Sequence, residues 1–295
     1  MATAGGVRIF TVFEWFERNK NIKNNKGMID LTKTEFMTKG EMQEAAPAVF
    51  TMTPSSEVSK HYTHIPTSKV IDDMELLGWG VVDVKEVKAR KATTRGVQKH
   101  MVVFRNPEVV IEGKDGDTVF PQILLTNSHD GKNAFAFTAG LFRMICENGL
   151  VISTEQFADV KMRHMGYTFE DLQVNIREMV ARLPLTVESM NKMKEIEMGE
   201  EAALEFAQKA LATRFNEKQV KRYNVDLKEL IKPTRMEDAG GNVWSVFNVV
   251  QEKLIHGDFE YGVGKKIRKA RQVKNFSQDQ KINKELFSLA LEYVK

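Results

Sequence analysis

One cysteine in 295 residues, Cys146, excludes an internal disulfide and points to a reducing compartment. Its apolar neighbours make it a small buried hydrophobe before a catalytic thiol. Long hydrophobic runs are also missing: none approaches the ~20 residues needed to span a bilayer. At the N-terminus, Glu14, Glu17 and Arg18 interrupt the apolar patch of Phe10, Phe13, Trp15 and Phe16 before a signal-peptide core can form. A soluble protein of the cytoplasm is expected. No charge sign dominates strongly, since the net charge is only +3. Phosphate-loop chemistry is excluded because Gly262-Val-Gly264-Lys265 lacks the spacing and the preceding strand. The histidine and cysteine spacings match no standard zinc motif. Neither a cofactor nor a bound metal is therefore expected.

What is present suits a chain that buries a core. Hydrophobic residues make up 42%, and the length allows one large domain or two ordinary ones. Residues 1–59 form a weakly patterned N-terminal extension, expected to pack on the main domain or a neighbouring subunit. Residues 60–165 read as the core domain. Pro66-Thr67-Ser68 resembles a helix start with Thr67 as cap, Val70, Ile71, Met74 and Leu77 share a helical face, and Gly78 ends it. Trp79–Ala89, His100–Arg105 and Phe120–Leu125 read as three strands of a meander, with turns at Gly96 and Asp115-Gly116-Asp117. A helix is expected just after Gly131. From residue 166 to 295 helical spacing dominates, with a break at Pro184 and a new start at Thr186. The class is α+β: helix, antiparallel β-meander and helix, then a mainly helical C-terminal region.

The meander runs into Thr126–Ser153, where polar chemistry is concentrated between apolar elements. Asn127-Ser128-His129-Asp130-Gly131 has two readings. As a turn, Asn127 and Asp130 accept backbone N–H bonds, Gly131 takes a positive φ, and Asp130 or Ser128 starts the next helix. As a site, His129 titrates near neutrality, Asp130 orients it, and His164, with His100 nearby, completes a polar or metal-binding set. Arg143 either pairs with Glu147 at i+4 or contacts phosphate.

These landmarks carry a resemblance. His64-Ile-Pro-Thr67, Arg95-Gly-Val-Gln-Lys-His100, the Asn127–Gly131 turn, Ala139-Gly-Leu-Phe-Arg143, Glu147-Asn-Gly-Leu150, Arg163-His164 and Trp244 to Gln251-Glu252 resemble a family of unknown function. That family is borne by phages and plasmids and found in prophage islands. The likeness runs from about residue 60 to the C-terminus. A second, topological likeness rests on a helix, Gly78-Trp79, a meander and a following helix. It resembles the single-strand annealing recombinases of phages, whose rings or filaments hold single-stranded DNA in grooves. It implies a homo-oligomer working in the cytoplasm of a host cell.

Two basic runs fit that implication. Lys85, Lys88, Arg90, Lys91, Arg95 and Lys99 sit on an expected β-turn-β hairpin with one acid, Glu86. Lys265, Lys266, Arg268 and Lys269, followed by Arg271 and Lys274, have no acid among them from Gly264 to Asn275. The second run is expected to share a helical face. Such clusters hold phosphate backbones by Coulomb attraction and counterion release. Trp79, Phe104 and Tyr261 are available as aromatic platforms for bases. The expected function is non-catalytic single-stranded DNA binding and annealing during recombination on a mobile element. The competing readings are a metal-assisted nucleic-acid hydrolase using His129, Asp130 and His164, and a protein-binding factor that blunts a host defence.

Overall fold

The protein is represented by a computed structural model that describes residues 3–4, 7–10, 36–89, 91, 94–112, 118–143, 149–151, 160–162 and 168–294. The chain divides into two units, one of residues 1–144 and 155–184, the other of residues 145–154 and 185–295.

The first unit is an antiparallel sheet with helices packed on it. Its strands are β1 (Thr3–Ala4), β2 (Val7–Phe10), β3 (Gly80–Glu86), β4 (His100–Arg105), β5 (Val110–Glu112), β6 (Thr118–Asn127) and β7 (Phe135–Arg143). In the second unit lies β8 (Gly149–Val151); β9 (Val160–Met162) returns to the first and pairs with β7. β6 is central: β4 and β5 line one edge and β7 the other. The expected meander of β3, β4 and β6 is present, and β5 was not foreseen. Alternation along β3 is broken by a register shift between Val81 and Asp83, so Val81 and Val84 are both buried although three apart.

Helix α1 (Lys39–Ala45) starts in a Thr38–Glu41 capping box, and α2 (Thr67–Leu76) buries Val70, Ile71 and Met74. Gly78 ends α2 with φ +82, as its position after the apolar face requires. Thr67 is not the cap; Pro66 holds that place, which leaves the Thr67 hydroxyl for another task. The extension is tied down from Phe36 onward: Met37 N donates to Val81 O, and Met42, Ala46, Ala48 and Val49 are buried.

The helix expected after Gly131 is a strand. β7 pairs with β6 from Val119↔Arg143 to Thr126↔Ala136, and residues 135–140 are buried throughout. A strand covered on both faces loses its alternation and mimics a helical stripe. The helix that follows the meander comes at α3 (Phe169–Glu195), and the α+β order stands. α3 also runs through Pro184, where a break was expected. Leu172, Ile176, Met179, Leu183, Val187, Met190 and Met193 are all buried at unbroken helical spacing. Burying each such side chain is worth about 1.5–3 kcal/mol, enough to outweigh the roughly 3 kcal/mol cost of an internal proline.

In the second unit follow α4 (Glu200–Arg214), α5 (Glu217–Arg222), β10 (Asn224–Val225), α6 (Leu227–Ile231), α7 (Val243–His256), β11 (Glu260–Val263), β12 (Lys266–Lys269) and α8 (Phe276–Leu291). α7 is the central helix, with every residue from Val243 to Leu254 buried. Asn242 caps it, and Gly257 ends it at φ +79, where a Cβ would lie 2.6 Å from the Arg271 backbone. Two of its buried polar side chains pair inside the bundle: Gln251 donates to Asn283, and Glu252 pairs with Arg235 at 2.9 Å. Strands β10, β11 and β12 form a separate three-stranded sheet in that order. Among the described residues no helix is long and apolar enough to cross a membrane.

Candidate functional site

The polar turn after β6 is buried rather than presented. Asn127, Ser128, His129, His100 and Thr67 are each 0% exposed. The partners fix where the protons are. Gln98 O can only accept, so Nδ1 of His100 donates to it across 3.0 Å. Nε2 of His100 is then an acceptor, and the Thr67 hydroxyl donates to it across 2.8 Å. Thr67 Oγ1 accepts in turn from Asn127 Nδ2 at 3.0 Å, and the same amide donates to Ile65 O at 3.3 Å. His100 is thereby held neutral, and burial pushes its pKa down to about 4.

His129 is locked in the same way. Nε2 donates to Ala48 O across 3.1 Å, which leaves Nδ1 of the neutral ring to accept from Nε2 of His64 at 3.0 Å. The three imidazoles lie in a row, with ring centroids 4.7 Å apart for His64–His129 and 5.0 Å for His100–His129. The backbone of the turn is held as tightly. Ser55 N donates to His129 O, His129 N to Val97 O, and Tyr62 Oη to Ser128 O at 3.1 Å. Burial, then the nearby Asp130 carboxylate, raises the Tyr62 phenol above its ordinary value. Asp130 accepts from Ser128 Oγ at 2.7 Å and Lys132 N at 3.1 Å, and Gly131 takes φ +71, as the turn reading requires.

The cluster therefore ties the stretch from Ala48 to Thr67 onto β4 and β6. With both His129 nitrogens engaged, the ring has no lone pair for a metal or a substrate proton. Among the described residues no three His, Cys, Asp or Glu side chains are placed to hold a metal ion. His164 and Arg90 lie outside the described residues, as do Cys146 and Glu147. Arg143 is the last residue of β7, opposite Val119, and so sits on a strand and not on a helix; the pairing with Glu147 weighed for it lies outside the described residues.

The basic runs face solvent. β3 and β4 pair as the expected hairpin, with Lys85, Lys88, Lys91 and Arg95 exposed and Lys99 half-buried. Lys85 is held by Asp83 at 2.8 Å. The second run is a β-hairpin and not a helical face. β11 and β12 are joined by a two-residue turn, Gly264-Lys265, with Gly264 at φ +60. Lys265, Lys266, Arg268 and Lys269 are all exposed. The strand period of two then splits them. Arg268 is opposite Tyr261 and Lys266 opposite Val263, on one face; Lys269 is opposite Glu260 on the other, 3.8 Å from Asp258.

The aromatic candidates sort differently from expectation. Trp79 is 3% exposed and Phe104 0%, so both are core and neither can offer a ring to a base. Tyr261 is half-exposed and stacks on Tyr223, with centroids 4.6 Å apart and planes at 30°. Phe215 closes on both rings, and Phe259 is buried behind them. Arg214, with its pKa lowered by burial, lies over Phe215 and Phe259 and donates to the carbonyls of Leu254 and Arg271. Tyr223, His64 and Tyr62 were missed by reading the sequence. The His64-Ile-Pro-Thr67 segment offered a signal for His64 alone.

A family model described as "Domain of unknown function (DUF932)" matches residues 54–287. The "UPF0380 protein YafZ" of Escherichia coli (strain K12) is 29% identical over 255 residues, covering 86% of this chain and 90% of its own length. The "UPF0380 protein YfjQ" of the same strain is 28% identical over 255 residues, with the same coverage. No solved structure matches.

Proposed function

The chain belongs to the DUF932 family, and since that membership brings no activity with it, we propose from the chain's own surfaces that it binds single-stranded nucleic acid without chemistry. One observation carries the reading: the first half of the acid-free stretch from Gly264 to Asn275 forms the turn and second strand of a hairpin and exposes its basic side chains beside partly exposed tyrosines. Phosphate neutralisation needs exposed, loosely held cations, and this hairpin has them. Lys88, Lys91 and Arg95, on the loop between β3 and β4, provide a second cationic surface of the same kind. The chain would act as a homo-oligomer that anneals complementary single strands, on a phage or other mobile element, in the cytoplasm. The hydrolase reading is weaker, because it needs His129 free and that ring is fully engaged.

The test is fluorescence anisotropy of labelled oligo(dT) and a mixed-sequence oligonucleotide across a salt series, with light scattering in parallel. The two oligonucleotides should bind alike, and affinity should fall by about 0.7 in log K per log salt for each phosphate contacted. Single-stranded DNA should also drive assembly. Binding that is absent, or indifferent to salt, would overturn the proposal. Capture of a protein partner with no DNA affinity would instead favour a protein-binding factor.

A further inference from the structure

We infer that the Tyr223–Tyr261 pair is a base-stacking subsite, with Arg268 and Lys266 placed to hold the phosphates of the stacked nucleotides. The inference rests on the single-strand reading above and names the groups that would recognise unpaired bases. Residues opposite one another on neighbouring strands project to the same face, with Cβ atoms about 5 Å apart. Tyr261 and Arg268 are such a pair, Val263 and Lys266 the next along the ribbon, and Val225 lies across from Tyr261 on β10. One face thus carries a graded row. It begins at buried Phe259, passes through half-exposed Tyr261 and Val263, and ends at exposed Lys266 and Arg268.

That gradient suits a nucleotide, which has an apolar π-face and an anionic backbone a short distance away. The tyrosine rings are held in place for the purpose. Tyr223 and Tyr261 brace one another, Phe215 abuts both, and Tyr223 Oη accepts from Gln219 Nε2 at 3.4 Å. A braced ring loses little entropy when a base stacks on it. Duplex DNA hides its base faces in its own stack, so this subsite favours single strands over double. The opposite face of the ribbon, with Glu260, Asp258 and Lys269, has mixed charge and lacks an aromatic ring on β11 or β12. Charge complementarity therefore places the strand on the tyrosine face.

The experiment uses the full chain and three variants, Tyr261→Leu, Tyr261→Phe and Tyr261→Trp, with circular dichroism to confirm that each is folded. Tyr261→Leu should lose roughly tenfold in oligo(dT) affinity while duplex affinity and the salt slope stay unchanged. Tyr261→Phe should restore wild-type binding, since it keeps the ring. The fluorescence of the introduced indole, read against the native tryptophans, should be quenched on adding oligo(dT) and not on adding duplex. Full oligo(dT) affinity in Tyr261→Leu, or equal losses for single strand and duplex, would overturn the subsite while leaving single-strand binding intact. Failure of the wild-type chain to bind oligo(dT) would overturn both. Should Tyr261→Leu not fold, an unquenched indole in folded Tyr261→Trp would by itself reject the inference.

Discussion

The buried turn after β6 and the exposed β11–β12 hairpin are both dense in polar side chains, and they spend them in opposite ways. In the first, donors and acceptors close on one another: Asn127 to Thr67, Thr67 to His100, His100 to Gln98, His64 to His129, His129 to Ala48. In the second, Lys265, Lys266 and Arg268 point to water. A buried polar group without a partner costs far more than an exposed one, so burial forces polar groups into self-satisfaction. A group already satisfied has little left for a ligand. The richest polar motif of the chain is accordingly a clasp, and the plainer basic run is the better candidate surface.

Removing a member of the clasp should give the largest effect. Asn127→Ala strips partners from Ile65 O, Thr67 Oγ1 and Ser128 N. At about 1–3 kcal/mol for each orphaned group, the loss is on the order of 5 kcal/mol, read by urea unfolding. A loss below about 1 kcal/mol would break the contrast between the two regions. The hairpin should respond the other way. Reversing the charges of Lys265, Lys266, Arg268 and Lys269 together should lower oligonucleotide affinity by roughly a hundredfold or more and flatten the salt slope by about 3, with the melting temperature unchanged. Intact binding would remove the hairpin from the proposed interface.

Acid should open the clasp before it touches the hairpin. His100 titrates at about 4 in the folded chain against 6.5 when unfolded. As pH falls through 6.5 the unfolded chain takes up the proton and the folded one does not, so stability drains away until about pH 4 and levels off below. The gap between the two values amounts to about 3 kcal/mol. His100→Gln, which cannot titrate, should flatten the stability profile across that window. An unchanged profile would mean that His100 is not the group responsible. The smallest effect tests the first hairpin: Asp83→Asn releases Lys85 from its 2.8 Å ion pair and should raise oligonucleotide affinity by roughly twofold.

Much was legible in the residues themselves. Gly78 after an apolar helical face, the strand His100–Arg105 and the positive φ of Gly131 follow from local patterns and are found where those patterns place them. Local chemistry decides them: a glycine's freedom, a capping group, a period of two or 3.6. The acid-free run from Gly264 to Asn275 is equally a property of the sequence.

Only the tertiary structure decided the rest. Phe135–Arg143 became a strand because β6 offered it a partner from Ala136 to Arg143. α3 crossed Pro184 because buried side chains on both sides of it outweigh one lost backbone bond. Trp79 and Phe104 were drawn into the core, while Tyr261 was left at its edge beside Arg268, a neighbour seven positions away that only strand pairing brings opposite. His129 met His64 and Ala48 across 65 and 81 positions. Periodicity reports which face of an element is apolar. It does not report what covers that face, and here the cover decides whether a polar residue is closed off or available.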